Sequence, residues 1–310
     1  MKSFRIKIFL AFYTSLVIIL FAFQYTSASS YSLGIYPPII KIKANPPAII
    51  KSEIKIKNLS GNPVDVGFVL RPFATDENNM NQVKYLLYKD YTTLNTNFLQ
   101  KVKVLENDQS ISKTILSPKQ EKRLMLLIDL PKEEKPTDHY FSLVLLTQNQ
   151  DKLNSSYSKI IEGIATNILI SINPKDYKAE IQDFSTSRFF SEGPVKFNVK
   201  VKNMGDHFIT TSGYILIKNI FGKTVGRVDL NPTNILAKST AIMFSKENDD
   251  IIWPEIFLLG SYTAKLYLTY DNSYSLSGET KFVAIPIKTI TLLTIALFIA
   301  IYIIRQLKNR

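Results

Sequence analysis

The chain of 310 residues contains no cysteine. That excludes a disulfide framework, a thiolate metal site and a cysteine nucleophile, so any domain must be held by its core alone. Histidine is nearly as scarce: His139 and His207 are the only two, and their spacing makes no metal site. A Ser-His-Asp hydrolase would need one of them in a pocket beside a nucleophile on a sharp turn, and there is no G-x-S-x-G element. His207 follows a turn and is expected at the surface, His139 at a strand entrance. Acidic pairs are few. Glu133-Glu134 and Asp249-Asp250 fall in charged stretches that read as solvated loops, whereas a glycosidase needs two carboxylates facing each other across a cleft. No long amphipathic helix pattern is present. The expectation is a non-enzymatic protein with no catalytic residue, no cofactor and no metal.

Charge is lopsided, with 38 Lys and Arg against 26 Asp and Glu and a formal net charge of +12. Seven of the basic residues (Lys2, Arg5, Lys7, Lys288, Arg305, Lys308, Arg310) lie in two terminal segments without acids, and removing them leaves +5 on the remainder. That mild balance does not suit a nucleic-acid binder.

The two terminal segments give the chain its address. Lys2, Arg5 and Lys7 form a basic n-region, Ile8 to Phe23 an apolar h-region, and Thr26-Ser27-Ala28 small residues of the kind a signal peptidase requires, so residues 1–28 are predicted to be a signal peptide. An uncleaved signal anchor is the alternative; both export the middle of the chain. At the other end, Thr289 to Ile304 has no charge, Gly or Pro. Extended upstream through Ile285, Pro286 and Ile287, it approaches the roughly 20 residues needed to cross about 30 Å of hydrocarbon. Residues 285–304 are therefore predicted to be a transmembrane helix, with Lys288 carrying its ammonium to the headgroups. The basic residues in 305–310 should stay cytoplasmic and leave the ectodomain outside.

Period-2 alternation dominates the 256 residues between. Ile54 and Ile56 alternate with lysines; Val64, Val66, Phe68 and Leu70 share a face, as do Leu124, Leu126, Ile128 and Leu130. Tyr140 to Leu146 is nearly all apolar, as a strand buried on both faces would be. Asn45-Pro46-Pro47, Ser60-Gly61-Asn62-Pro63 and Ser117-Pro118 supply the turns. The segment 75–97, rich in Asn, Gln, Thr and Tyr, breaks this rhythm, with only Val83 to Tyr88 looking like a strand; it reads as a long insertion, carrying at most a small hairpin, and either a binding loop or a solvated excursion. A boundary near Asn173-Pro174 divides a first domain, 29–173, from a second, 174–284. In the second, Val195, Phe197, Val199 and Val201 alternate with polar residues, and Lys196, Lys200 and Lys202 form a basic outer face. Thr240, Ile242 and Phe244 read as another strand. Trp253, the only tryptophan, reads as a core plug or an exposed contact. Gly260-Ser261-Tyr262 resembles the corner tyrosine of immunoglobulin-like domains, and Asp138-His139-Tyr140 holds the comparable place in the first half. The fold class expected is all-β: two immunoglobulin-like antiparallel β-sandwiches in tandem plus one C-terminal transmembrane helix.

Leu33-Gly34-Ile35-Tyr36-Pro37-Pro38, then Ile54-Lys55-Ile56-Lys57-Asn58, a turn and Val64 to Leu70, followed by Thr114 to Pro118, Leu124 to Pro131 and a tyrosine-led strand, make an order similar to that of the exported WxL-interacting proteins of bacteria. The resemblance implies a signal peptide, two immunoglobulin-like domains, one transmembrane helix and a basic tail. It further implies a surface-anchored binding protein whose first domain engages cell-wall polymer and whose second engages partner proteins. Two functions are expected on these grounds. One is a membrane-anchored, non-enzymatic cell-surface binding protein for adhesion, wall attachment or scaffolding. The other is a tethered chaperone or accessory subunit that pairs a sheet edge, Lys51 to Asn58, with an exported partner. In either case the first domain and its insertion are expected to form the end that meets partners, with no role for nucleic acid.

Overall fold

The computed structural model describes residues 33–76, 80–148, 163–247, 250–271 and 273–308. The predicted signal peptide, residues 1–28, lies outside them. Two β-sandwiches follow one another, and a long helix closes the chain.

The first sandwich comprises β1 (Leu33–Tyr36), β2 (Ile39–Ala44), β3 (Ala48–Asn58), β4 (Val64–Thr75), β5 (Val83–Tyr85), β6 (Val102–Glu106), β7 (Gln109–Ser110), β8 (Lys113–Leu116), β9 (Glu121–Leu130), β10 (Asp138–Gln148) and β11 (Gly163–Ile172). One sheet runs β1-β3-β9-β6-β7; the other runs β2-β11-β10-β4-β5, with β8 also on β4. The sequence alternation explains the packing. Ile54, Ile56, Leu124, Leu126, Ile128 and Leu130 from one sheet meet Phe141, Leu143, Leu145, Ile168 and Ile170 from the other, all essentially inaccessible to solvent. Each such side chain contributes about 1.5–3 kcal/mol by leaving water.

The first strand is divided between the sheets. β1 pairs antiparallel with the Lys55–Asn58 half of β3. Pro37 and Pro38, which have no N–H to continue a ladder, then carry the chain across, and β2 pairs in parallel with Asn167 to Ile172 of β11. Each sheet edge is thereby half covered.

The insertion is more structured than its composition suggests. β5 folds back on the end of β4, and α1 (Thr93–Leu99) is started by a capping box in which Thr92 and Asn95 bond each other's backbone N–H. Phe98, 2% exposed, fixes α1 to the domain by stacking on His139 with ring centroids 3.6 Å apart.

The second sandwich contains β12 (Ala179–Thr186), β13 (Phe189–Phe190), β14 (Val195–Asn203), β15 (Ile209–Asn219), β16 (Thr224–Ile235), β17 (Thr240–Ile242), β18 (Ile251–Trp253), β19 (Gly260–Tyr270) and β20 (Tyr274–Ala284). β12, β17 and β18 flank β14; opposite them lies β13-β20-β19-β15-β16. Trp253 is a core residue, 5% exposed and edge-on to Tyr262 and Phe282. It fits because position 226 is glycine: a Cβ there would stand 2.4 Å from the indole Nε1. The Tyr262 hydroxyl turns back onto the Leu259 backbone, accepting from its N–H at 3.1 Å. At β17 the core-facing residues are Ala241 and Met243, one step out of phase with the expected Thr240, Ile242 and Phe244 face. A slip of one residue exchanges the two faces of a strand, and the expected face turns to the domain junction instead.

The helix α2 runs from Ile287 to Lys308, starting two residues later than the sequence suggests and extending through Arg305 into the basic tail. Pro286 stands just outside it, its carbonyl accepting from Ile290 N–H at 2.9 Å. The 22 residues have a mean hydropathy of 2.3 in their most apolar window and are not buried by any other part of the protein. At about 1.5 Å per residue they extend roughly 33 Å.

Candidate binding site at the domain junction

The two sandwiches meet where the outer face of β2-β11-β10 rests on the upper loops of the second domain. Asp138 begins β10 with its side chain turned out of its own core, and it is 4% exposed because the second domain covers it. Asp138 Oδ1, Ser171 Oγ and His207 Nδ1 form a triangle with sides of 2.7 Å. Asp138 Oδ2 accepts from Phe208 N–H and from the Tyr140 hydroxyl, each at 2.5 Å. Burial, then the charge and hydrogen bond of Asp138, push the Tyr140 hydroxyl well above the usual phenol range, so it stays protonated and donates. Its oxygen in turn accepts from Ala237 N–H at 3.1 Å. One carboxylate thus takes hydrogen bonds from both domains, and Phe73, Leu169, Phe208 and Leu236 close an apolar patch beside it.

The expectation that His207 is exposed is therefore corrected: it is 6% exposed, since the turn it follows is pressed against the first domain. The arrangement also bears on hydrolase chemistry. Serine, histidine and aspartate come together, but serine and carboxylate both address Nδ1, whereas a nucleophile triad needs them on opposite ring nitrogens. Ser171 is wholly buried within a strand rather than on a sharp turn. His139 is equally remote from a catalytic role. It is 3% exposed under Phe98, and burial lowers its pKa to about 4 against weaker upward pulls from Glu134 and Asp138. Glu134, expected in a solvated loop, is 7% exposed and ion-paired with Lys101. Asp250 pairs at 2.7 Å with Lys196 in solvent, and Asp249 lies outside the described residues. The lysines of β14 follow the solvated outer face. Among the described residues, no group of three potential metal ligands occurs.

Two further contacts flank the aspartate. Lys43 on β2 is ion-paired with Asp271, and its ammonium lies 4.4 Å from the centre of the Tyr177 ring. Burial alone would lower the Lys43 pKa, but the hydrogen bonds to Asp271 and Tyr177 outweigh it and leave it raised. On the other side, Asn81 at the tip of the insertion accepts from Ile242 N–H at 2.7 Å and donates to Ile242 C=O at 2.6 Å. Its amide does what one residue of a neighbouring strand would do for the edge of β17. The insertion therefore lies against the second domain, which corrects its assignment to the far end of the molecule. Phe73, Val83 and Asn81 face Asn231, Asn234 and Phe244 across a cleft of about 420 Å³, apolar at its floor and amide-rich at its rim.

A second feature is an open stretch of sheet edge. The predicted edge Lys51 to Asn58 is covered by β1 over Lys55–Asn58, so only the preceding half of β3 is open. There, no described strand lies beside Ala48 to Ile54 on the side away from β9. Asn58 N–H points to β9, where it meets Gln120 O at 2.9 Å. By alternation the N–H and C=O groups of Ile49, Lys51 and Glu53 point outward. Ile49 is 70% exposed there, while Ala48 and Ile50 lean on the core and leave an apolar flank an added strand would cover. This half-edge was not legible in the sequence, since it depends on how far β1 extends.

No protein-family model and no curated protein sequence matches the chain. Solved structures do. They include a class 5 fimbriae chaperone, CfaA (13% identity, TM-score 0.41, covering 80% of this chain and 99% of that one). The Escherichia coli chaperone DraB is another (12% identity, TM-score 0.37, 82% and 98%). So is the CsuC-CsuE chaperone–tip adhesion subunit pre-assembly complex of Acinetobacter baumannii (12% identity, TM-score 0.36, 68% and 89%). The finer resemblance to WxL-interacting proteins gains no support from these comparisons. The chain itself folds as two successive immunoglobulin-like β-sandwiches followed by one apolar helix.

Proposed function

We propose that the chain is a membrane-tethered, non-enzymatic accessory or chaperone-type protein that holds an exported partner protein by adding one of the partner's strands to its open β3 edge. The observation that carries this is the row of outward backbone groups at Ile49, Lys51 and Glu53, above the apolar flank of Ala48 and Ile50. An extended segment placed in line with β1 would complete that edge. Lys51 and Glu53 are the kind of charged residues that keep such an edge from pairing with its own copies. In this reading residues 1–28 direct export, α2 crosses the bilayer, and Arg305 and Lys308 lie on the cytoplasmic side.

Lys51→Pro tests it. The substitution deletes an outward N–H that no described strand uses, so the fold survives, whereas Lys51→Ala removes only the side chain. Recovery of a stoichiometric exported partner with the wild type and Lys51→Ala, and its loss with Lys51→Pro, is the expected result. Equal recovery with Lys51→Pro would overturn the edge. A surface-binding reading draws on the cleft, whose amide rim suits an extended peptide or a glycan. Cell-wall binding abolished by blocking Asn234, with the partner unaffected, would favour it.

A further inference from the structure

The second domain has two unlike ends. His207, Leu236 and Asp271 lie at the end that joins the first domain. The opposite end is defined by register: Asn219 pairs with Tyr262, and Gly260 with Ala284, so the β15–β16 hairpin tip, the loop 254–259 and the start of α2 lie together. Only Ile285 and Pro286 separate β20 from α2. Hydrogen bonds stitch this end: Ile285 N–H to Phe190 O at 3.0 Å, Gly193 N–H to Ile256 O at 2.9 Å, and the Lys288 ammonium to Glu192 at 2.5 Å.

Two loops at this end present apolar side chains to solvent. At the hairpin tip Ile220 is 71% and Phe221 89% exposed. The tip is not loose, because Asn219 Oδ1 accepts from the N–H groups of both Phe221 and Lys223 at 3.1 Å. In the other loop Leu258 is wholly buried and pins the backbone, while Ile256, Phe257 and Leu259 are 69%, 56% and 61% exposed. Five large apolar groups held outward on anchored loops are unusual for a surface that meets only water. Lys223 follows the hairpin tip and Lys288 stands at the start of the helix, the latter paired with Glu192, and Glu255 precedes Ile256; long lysine side chains at such a position can extend their charges toward headgroups.

The geometry points to a membrane-docking surface: Ile220, Phe221, Ile256, Phe257 and Leu259 enter the headgroup–acyl boundary around the base of α2, so the second domain stands on the bilayer instead of swinging from a tether. The occupant is the bilayer because the helix leaves from the same end after two residues, bringing that end to the membrane. The inference rests on the reading that α2 spans.

Bromine-bearing lipids test it, since bromine quenches only tryptophans that reach the acyl region. The full chain is reconstituted into vesicles of phosphatidylcholine and phosphatidylglycerol with brominated chains, and the emission of wild-type Trp253 is subtracted. Phe298→Trp reports the span, Phe221→Trp the docking surface, and Ile115→Trp the first domain. The expected result is a loss of about half or more of the added emission for Phe298→Trp and Phe221→Trp, with little for Ile115→Trp. Quenching of Phe298→Trp without Phe221→Trp overturns the docking while leaving the span. Quenching of neither overturns both.

Discussion

Replacing Asp138 should uncouple the two domains. Asp138→Ala removes the acceptor shared by Ser171, His207, Tyr140 and Phe208, all but Tyr140 nearly or wholly buried. The losses do not simply add: the Ser171 hydroxyl can rotate, His207 can move its proton to the other nitrogen, and Tyr140 can reorient its O–H. The Phe208 N–H can do none of these and keeps the full desolvation cost of an orphaned amide, about 1–3 kcal/mol. With partial costs from the others, the expected destabilisation is about 3–5 kcal/mol, the range for breaking a buried polar pair from one side. Asp138→Asn is milder, about 1–2 kcal/mol, because its carbonyl can serve Phe208 and Tyr140 while its NH₂ donates to a His207 tautomer with a free Nδ1. Urea unfolding of the detergent-solubilised chain distinguishes these, with Trp253 emission reporting the second domain and far-ultraviolet circular dichroism reporting both. The wild type should give coincident transitions, and Asp138→Ala two separated ones, the lower displaced by about 1–2 M urea. Coincident transitions at the wild-type midpoint in Asp138→Ala would refute the coupling.

His139 should make the first domain acid-sensitive. Its imidazole binds a proton near pH 6.5 when unfolded but only at about 4 when folded, so stability is complete above 6.5, falls as pH drops towards 4 and is level below it. The loss between pH 7 and 4.5 is about 2 kcal/mol, and His139→Leu should flatten urea midpoints over that interval by this amount; an unchanged slope would exclude His139 as its source. Gly226→Ala should cost about 1–3 kcal/mol, because the new methyl collides with Trp253, and should shift Trp253 emission together with the thermal midpoint. A normal midpoint with native emission would show that the indole has room to move.

Much of the fold was legible because its signal is local. Leu124, Leu126, Ile128 and Leu130 declare a strand by alternation alone, and Tyr262 declares a corner by its place after glycine. The site was less legible because it is made where distant segments meet. Asp138 and His207 are 69 positions apart, and nothing beside His207 indicates that its turn will be covered. The same applies to Asn81: in an asparagine-rich stretch no residue stands out, and only the nearness of β17 singles it out. Local chemistry did signal α1, since Thr92 and Asn95 form a capping pair, but the polar composition around them outweighed it.

The division of the first strand also bears on the order in which the domains can form. Among the described residues β2 pairs only with β11, the last strand of its sandwich, and β13 only with Val283 and Ala284, the last residues of β20. For a chain delivered N-terminus first, neither sandwich can close until its final strand has emerged. Closure of the second must then coincide with the arrival of α2, two residues behind, so that the apolar helix acts as the timer for completing the domain before it.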